Sequence, residues 1–202
     1  QKDGHLFSNR QIMAMLLHLM AEQLLITMMG MVNTFMVAHV GSYAISAVSL
    51  VDSVNVLVIQ AFYALGAGGT IVCAQYLGQG KVRRAVHGAE QTLFIVTLIS
   101  LVTAAVFIVF DRPILRLIFG TVDQDVFAAS RTYLFFSALS YPFIALYDSG
   151  SSVFRAQERT GFPMAMSALA NVVNILGNVL LVLWLDFGVG GAAVSTLFAR
   201  AL

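Results

Sequence analysis

The chain has 202 residues, 59% of them hydrophobic and 10% charged, with a formal net charge of +1. A soluble domain carries about 25% charged residues, so this composition excludes a water-soluble globular fold and belongs to an integral membrane protein. The near-neutral charge has no basic stripe, which argues against a nucleic-acid partner, and one cysteine, Cys73, excludes an internal disulfide framework and a Cys-rich metal site.

Residues 1–10 form a polar lead. The first apolar run, residues 11–38, contains no Lys or Arg and one acid, Glu22. About 20 apolar residues in a helix cross a bilayer, so the run spans with tilt. Each residue turns a helix by about 100°, which puts His18, Glu22 and Asn33 near one face. A carboxylate at membrane depth costs about 2.5–3.5 kcal/mol, so that face is expected to look into the protein. Seven of the methionines, Met28 and Met29 among them, lie in this run. Methionine is pliant and suits a surface for varied ligands, although ordinary core or lipid contact explains it equally.

A short turn leads to the second run, residues 44–77, which holds Asp52, Tyr63 and a set of small residues that includes Gly66, Gly68 and Gly69. These read as close helix packing. They are no phosphate cradle, since no Gly-Lys-Ser/Thr follows. A basic loop, residues 78–88, precedes the third run, residues 89–110. Residues 111–130 read as a short amphipathic helix at the interface. The fourth run, residues 133–153, contains Pro142, a kink or a packing feature. A second basic loop, residues 154–163, precedes the fifth run, residues 164–185. The sixth begins at residue 192 and is cut off by the end of the sequence. With its start at Gln1 as well, the chain is read as a fragment, and no cleavable signal stands out.

All the spans are expected to be helices, because lipid leaves backbone groups unsatisfied and the runs are too long for barrel strands. Lys2, Arg10, Lys81, Arg83, Arg84, Arg155 and Arg159 fall on one side, and Arg112, Arg116 and Arg131 on the other. This bias places the N-terminus in the cytoplasm.

Several polar residues in the spans are candidates for chemistry. Glu22 leads: a buried acid exchanges a proton or holds a cation, unless it serves as a structural hydrogen-bond acceptor. His18 is a proton relay, or a polar end of a tilted helix. Asp52 lines a cleft or pairs with a neighbouring helix. Asp148 lies within reach of Arg155 and Arg159 and reads as a structural or gating ion pair. Asn171, Asn174 and Asn178 share one helix face. Their carbonyls suit Na⁺ coordination or interhelical packing; Asn174 and Asn178 are expected to line the interior while Asn171 packs. Arg200 needs a partner that the sequence does not identify.

Three patches resemble the MATE family of multidrug and toxic compound extrusion transporters. They are MVNTFMVAHVG, similar to the family's V-D-T-x-M-V-G-x-x-G; VSLVDSVNVLVIQAFYALGAGGTIVCAQYLGQGK; and FRAQERTGFPMAMSALANVVNILGNVLLV followed by FGVGGAAVSTLFAR. The resemblance covers essentially the whole chain. It implies an all-α lobe of six transmembrane helices, the sixth incomplete, from a twelve-helix transporter whose C-terminal lobe is missing here. It also implies a cell-membrane protein that is no enzyme and needs no cofactor or metal. Such a transporter exports cationic, drug-like compounds in exchange for H⁺ or Na⁺. Glu22, Asn33, Asn174 and Asn178 would then handle the coupling ion, and Asp52, Met28, Met29 and Tyr63 would line the cleft. Asp148, Arg155 and Pro142 would serve structure or gating. The family often has Asp where this chain has Asn33, and archaeal-type members carry an acid where it has Asn178. An amide neither takes nor releases a proton. A lipid-linked sugar flippase of the same superfamily and a non-transporting membrane scaffold are the alternative readings.

Overall fold

A computed structural model describes residues 9–157 and 160–202; the side chains of residues 9–11 and 156 lie outside that description, as do Lys2 and Arg159 of the basic clusters. The described residues form helices and no strands. They are α1 (Asn9–Ala38), α2 (Ser42–Gly78), α3 (Val82–Val109), a short α4 (Asp111–Phe119), α5 (Gln124–Ala156), α6 (Gly161–Asn178) and α7 (Gly188–Ala201). A π-helical segment, Val179–Trp184, continues α6. The chain is an all-α lobe.

Hydropathy locates the lipid-facing stretch of a helix, not its ends. The basic loop at residues 78–88 is therefore mostly helix: only residues 79–81 are non-helical, and Arg83, Arg84 and His87 ride on the first turns of α3. The mixed segment at residues 111–130 splits between α4 and the first turns of α5. Leu115 of α4 is buried, and Asp111 joins α4 to α5 through Arg131, with Nε to Oδ2 at 2.6 Å.

Among the described residues, four helical stretches are long and apolar enough to cross a membrane: Ile12–Ala38, Ser42–Gly78, Val82–Val109 and Gly161–Trp184. At 33 residues α5 is also long enough, but Arg131, Asp148 and a series of serines make it less apolar. Its position explains this. It runs through the middle of the bundle against α2, α3 and α7, and Ser130, Ser137, Ser140, Ser149, Ser151 and Ser152 are all buried. Pro142 lies inside α5 and the helix continues through it.

The helices fall into two packed groups. One is α2, α3 and α5; the other is α1, α6 and α7, and α5 joins them by packing on α7. Two apolar clusters hold the bundle. The first includes Val37, Val48, Val51, Leu115, Leu134 and Val182. The second centres on Tyr141, with Phe62 and Phe107 packed edge-on at centroid distances of 6.0 and 5.7 Å.

Small residues set the closest approaches. A Cβ on Gly69 would run into Thr92 of α3, and one on Gly177 into Ser195 of α7. A Cβ on Gly191 would come within 2.9 Å of the Leu181 carbonyl oxygen. Gly66 faces Ser149 and Ser152 of α5, whereas Gly68 meets nothing within 4 Å.

Polarity is reversed relative to a soluble helix. The buried residues of α1 include Glu22 and Asn33, while Leu16, Leu17, Met20, Leu24, Met28 and Met31 are exposed. On α6 the buried stripe is Pro163, Ser167, Asn171, Asn174 and Asn178. Steps of three and four residues keep that stripe on one face. Intramembrane polar groups face the bundle interior in this way because lipid offers them no partner.

Candidate functional site

The polar faces of α1, α2, α5, α6 and α7 meet inside the bundle and form three bonded clusters. The first is built on Glu22, which is 3% exposed. Its Oε1 accepts the Tyr147 hydroxyl at 2.8 Å, and its Oε2 lies 3.4 Å from Arg155 Nη1. A phenol has one proton to give. With that proton on the carboxylate, Tyr147 accepts from Ser167, whose Oγ is 2.5 Å away. The Arg155 guanidinium also sits 5.7 Å above the ring of Tyr63, a cation–π contact.

This arrangement corrects one expectation and decides between two readings of another residue. Arg155 goes to Glu22 and not to Asp148, because α1 brings a buried carboxylate against the end of α5. The other proposed partner of Asp148, Arg159, lies outside the described residues. His18 does not pair with Glu22: its Nδ1 lies 3.2 Å from Thr160 Oγ1. The relay reading of His18 is not formed; its contact ties α1 to the residue that precedes α6.

The second cluster is an amide network between α1, α6 and α7. Asn178 Nδ2 donates to Asn33 Oδ1 at 2.8 Å and lies 3.1 Å from Asn174 Oδ1. Asn33 and Asn174 both donate to Thr196 Oγ1, at 2.9 and 3.2 Å, and Thr196 donates to its own helix at Ala192. Ser195 donates to the Asn174 carbonyl at 2.8 Å. The structure thus brings together Asn33, Asn174 and Asn178, which sit on two helices far apart in sequence. Asn171 stays on its own helix, donating to the Ser167 carbonyl at 2.9 Å. Asn178 Oδ1 is buried without a donor. The network carries no formal charge and bonds mainly to itself.

The third cluster joins α2, α5 and α7. Asp52 Oδ1 accepts from Asn55 at 3.2 Å and from the Tyr133 hydroxyl at 3.3 Å. Tyr141 donates to Asn55 Oδ1 at 2.8 Å. Arg200, whose partner the sequence left open, donates to Ser140 Oγ at 2.9 Å. A cavity of about 290 Å³ opens beside the first and third clusters, lined by Tyr147, Ser151 and Arg200 among apolar side chains such as Phe143, Leu146 and Met166.

The remaining expected residues are more dispersed. Tyr63 is 46% exposed beside Arg155. Met29 is half-buried on the Glu22 face, and Met28 is 52% exposed on the outer side of α1. Among the described residues no group of His, Cys, Asp and Glu is placed to hold a metal ion. Sequence reasoning passed over Tyr147, Ser167, Tyr133, Ser140, Ser195 and Thr196. The signal was present: Ser167 begins the same i, i+4, i+7 stripe as the three asparagines.

The description "MatE" belongs to a family profile that matches residues 19–180. The chain belongs to the MatE family. Among its relatives, this MatE chain is 23% identical over 98% of its length to the FAD transporter of Shewanella oneidensis. It is 25% identical over 95% of its length to the probable multidrug resistance protein NorM of Thermotoga maritima. It covers 45% and 42% of those proteins, so the chain spans less than half the length of the relatives it matches. Its fold superposes with a TM-score of 0.86 on a MOP superfamily transporter from Pyrococcus furiosus, at 20% identity, over 94% of this chain and 42% of that one. An outward-facing multidrug resistance MATE family transporter gives the same score and coverage. At such identity the likeness shows the fold alone. That fold is a lobe of a MatE-type bundle.

Proposed function

We propose that this chain is one lobe of a secondary-active exporter in the cell membrane that moves cationic, amphipathic compounds outward in exchange for H⁺ or Na⁺. Family membership supports a transporter, and the relatives named for FAD and for multidrug resistance support small-molecule cargo. The observation that carries the reading is Glu22: a carboxylate 3% exposed, held on the inward face of a helix whose outer face is apolar.

The mechanism follows from what Glu22 touches. Its charge is balanced by Arg155 at 3.4 Å, and a substrate cation that enters the lobe competes with that guanidinium for the carboxylate. The Tyr63 ring offers its π face to the same cation, and Asp52 and Met29 complete a mixed acidic and pliant lining from which Met28, on the outer side of α1, is absent. Asn33, Asn174 and Asn178 hold α1 against α6 and supply neutral oxygens to a coupling ion. A second lobe closes the cleft, and the two rock to give alternating access. The N-terminus lies in the cytoplasm, by the bias of basic residues. One charge moving down the membrane potential releases about 2.3 kcal/mol per 100 mV, so no nucleotide is needed and no bond of the substrate changes.

The test is ethidium efflux from vesicles that hold the complete transporter, with pH and Na⁺ gradients imposed separately. One gradient is expected to drive efflux, and Glu22→Gln to abolish coupled export while the protein still folds. Efflux indifferent to both gradients, or undiminished in Glu22→Gln, would overturn the reading.

A further inference from the structure

Among the described residues, five charged side chains follow one seam of the bundle, Glu22 buried and the other four half-buried, and their signs alternate. Arg155 is bonded to Glu22. Asp148 is within electrostatic range of Arg155, Glu22 and Arg200, and Arg200 is also within range of Asp52. The resulting order is Asp52, Arg200, Asp148, Arg155, Glu22. Helix α5 sets the spacing. Tyr141, Asp148 and Arg155 are seven residues apart, about two turns, so one stripe of α5 carries all three. Tyr141 reaches Asn55 of α2 and Arg155 reaches Glu22 of α1. Asp148 lies midway, roughly 10 Å along the helix axis from each.

The three carboxylates are not equally served. Glu22 receives Tyr147 and Arg155; Asp52 receives Asn55 and Tyr133. Oδ2 of Asp148 is buried with no hydrogen-bond partner among the described residues. The other titratable groups around the seam are His18 of α1, which is bonded to Thr160, Tyr63 of α2, and Tyr133, Tyr141 and Tyr147 of α5. The α6 sequence contributes only amides and hydroxyls, and α3 buries only Ser100 and apolar residues. Among the described residues, three carboxylates against two guanidiniums leave one negative charge uncompensated, and an uncompensated charge is costly where it is partly withdrawn from water. A metal cation would need several oxygen ligands, and among the described residues no group of three carboxylates, imidazoles or thiols is gathered to supply them. A proton needs only that oxygen.

We propose that Asp148 is the proton-binding residue of this seam, taking up the one proton that balances its three carboxylates against its two guanidiniums. With Asp148 neutral, Arg155 serves Glu22 alone and ties α1 to α5. When the O–H bond of Asp148 breaks and the proton leaves to water, Arg155 and Arg200 gain a second carboxylate and the hold on Glu22 loosens. A substrate cation then takes Glu22, so one positive charge replaces another. The use of the proton rests on the export reading above; the proton site itself does not.

The experiment is infrared difference spectroscopy of the complete transporter in lipid nanodiscs, between mildly acidic and mildly alkaline pH. It reads the C=O stretch of a protonated carboxyl that lacks a hydrogen-bond donor. The band is expected in the wild type, to disappear on alkalinisation, and to be absent from Asp148→Asn. In Glu22→Gln and Asp52→Asn two carboxylates face two guanidiniums, so the band is expected to disappear at lower pH than in the wild type; in Asp148→Glu it is expected to shift in frequency. A band that survives in Asp148→Asn overturns the proposal. So does a band that titrates unchanged in folded Glu22→Gln and Asp52→Asn, or one that keeps its frequency in Asp148→Glu, comparisons that decide the matter even where Asp148→Asn does not fold. Loss of the band when Na⁺ replaces K⁺ at fixed pH assigns a sodium site and also overturns it. The expected band without cation efflux would sink only the export reading; cation efflux without an Asp148 band would sink only this one.

Discussion

Replacing Arg155 by alanine tests how the first cluster is held. The Arg155–Glu22 pair has its nitrogen and oxygen 3.4 Å apart, with side chains 21% and 4% exposed. At an effective dielectric of about 20 the gross attraction is about 5 kcal/mol, most of it cancelled by the desolvation both groups undergo. The pair therefore adds little net stability, yet removing one partner strands the other. Arg155→Ala leaves Glu22 buried with only the Tyr147 hydroxyl, and such broken pairs cost about 3–5 kcal/mol. Glu22→Gln is milder, about 1–2 kcal/mol, because Arg155 keeps some solvent and the face of Tyr63. The double replacement Glu22→Leu/Arg155→Met removes both charges together and is expected to lie within about 1 kcal/mol of the wild type. The assay is equilibrium unfolding of the complete transporter in mixed micelles, followed by loss of helical circular dichroism. Arg155→Ala as stable as the wild type, or a double variant worse than the two singles summed, would refute this account of a stranded charge.

The other predictions use the same assay. Tyr147→Phe removes the proton donated to Glu22 at 2.8 Å and should cost about 1.5–3 kcal/mol, the value of a hydrogen bond to a charged group. Asn178→Leu leaves Asn33 Oδ1 without its 2.8 Å donor, for an expected loss of about 1–3 kcal/mol. Gly177→Ala pushes a methyl group into Ser195 and should destabilise by about 1–3 kcal/mol. Gly150→Ala, inside α5 with nothing within 4 Å, should instead stabilise by about 0.5–1 kcal/mol. The opposite signs of the last two substitutions separate interhelical contact from helix propensity.

The sequence was most legible where a polar residue interrupts a long apolar run. Glu22, Asn33 and the Asn171–Asn178 stripe stand out because such residues seldom face lipid, and helical spacing alone puts them on an inward face. What stayed hidden was which inward face meets which. Arg155 has Asp148 two turns away on its own helix, so the local partner was the natural expectation; only the packing of α1 on α6, which itself touches α5, delivers Glu22 instead. Arg200 found Ser140 for the same reason. Tyr147 and Thr196 were overlooked because a tyrosine or threonine in an apolar run is unremarkable until its hydroxyl is seen joining two helices. The helix ends were misplaced wherever charged residues such as Arg83 and Arg84 extend a helix past the hydrocarbon boundary.

The inverted polarity of α1 and α6 also bears on how the lobe responds to temperature. Its cohesion comes from amides, hydroxyls and close glycine contacts, while its apolar faces are already satisfied by acyl chains. Parting the helices within a bilayer would wet little hydrocarbon, so calorimetry should give a heat-capacity increment well below the roughly 12–15 cal/mol/K per residue of soluble domains. A shallower stability curve follows, with less weakening on cooling than a water-driven core would suffer.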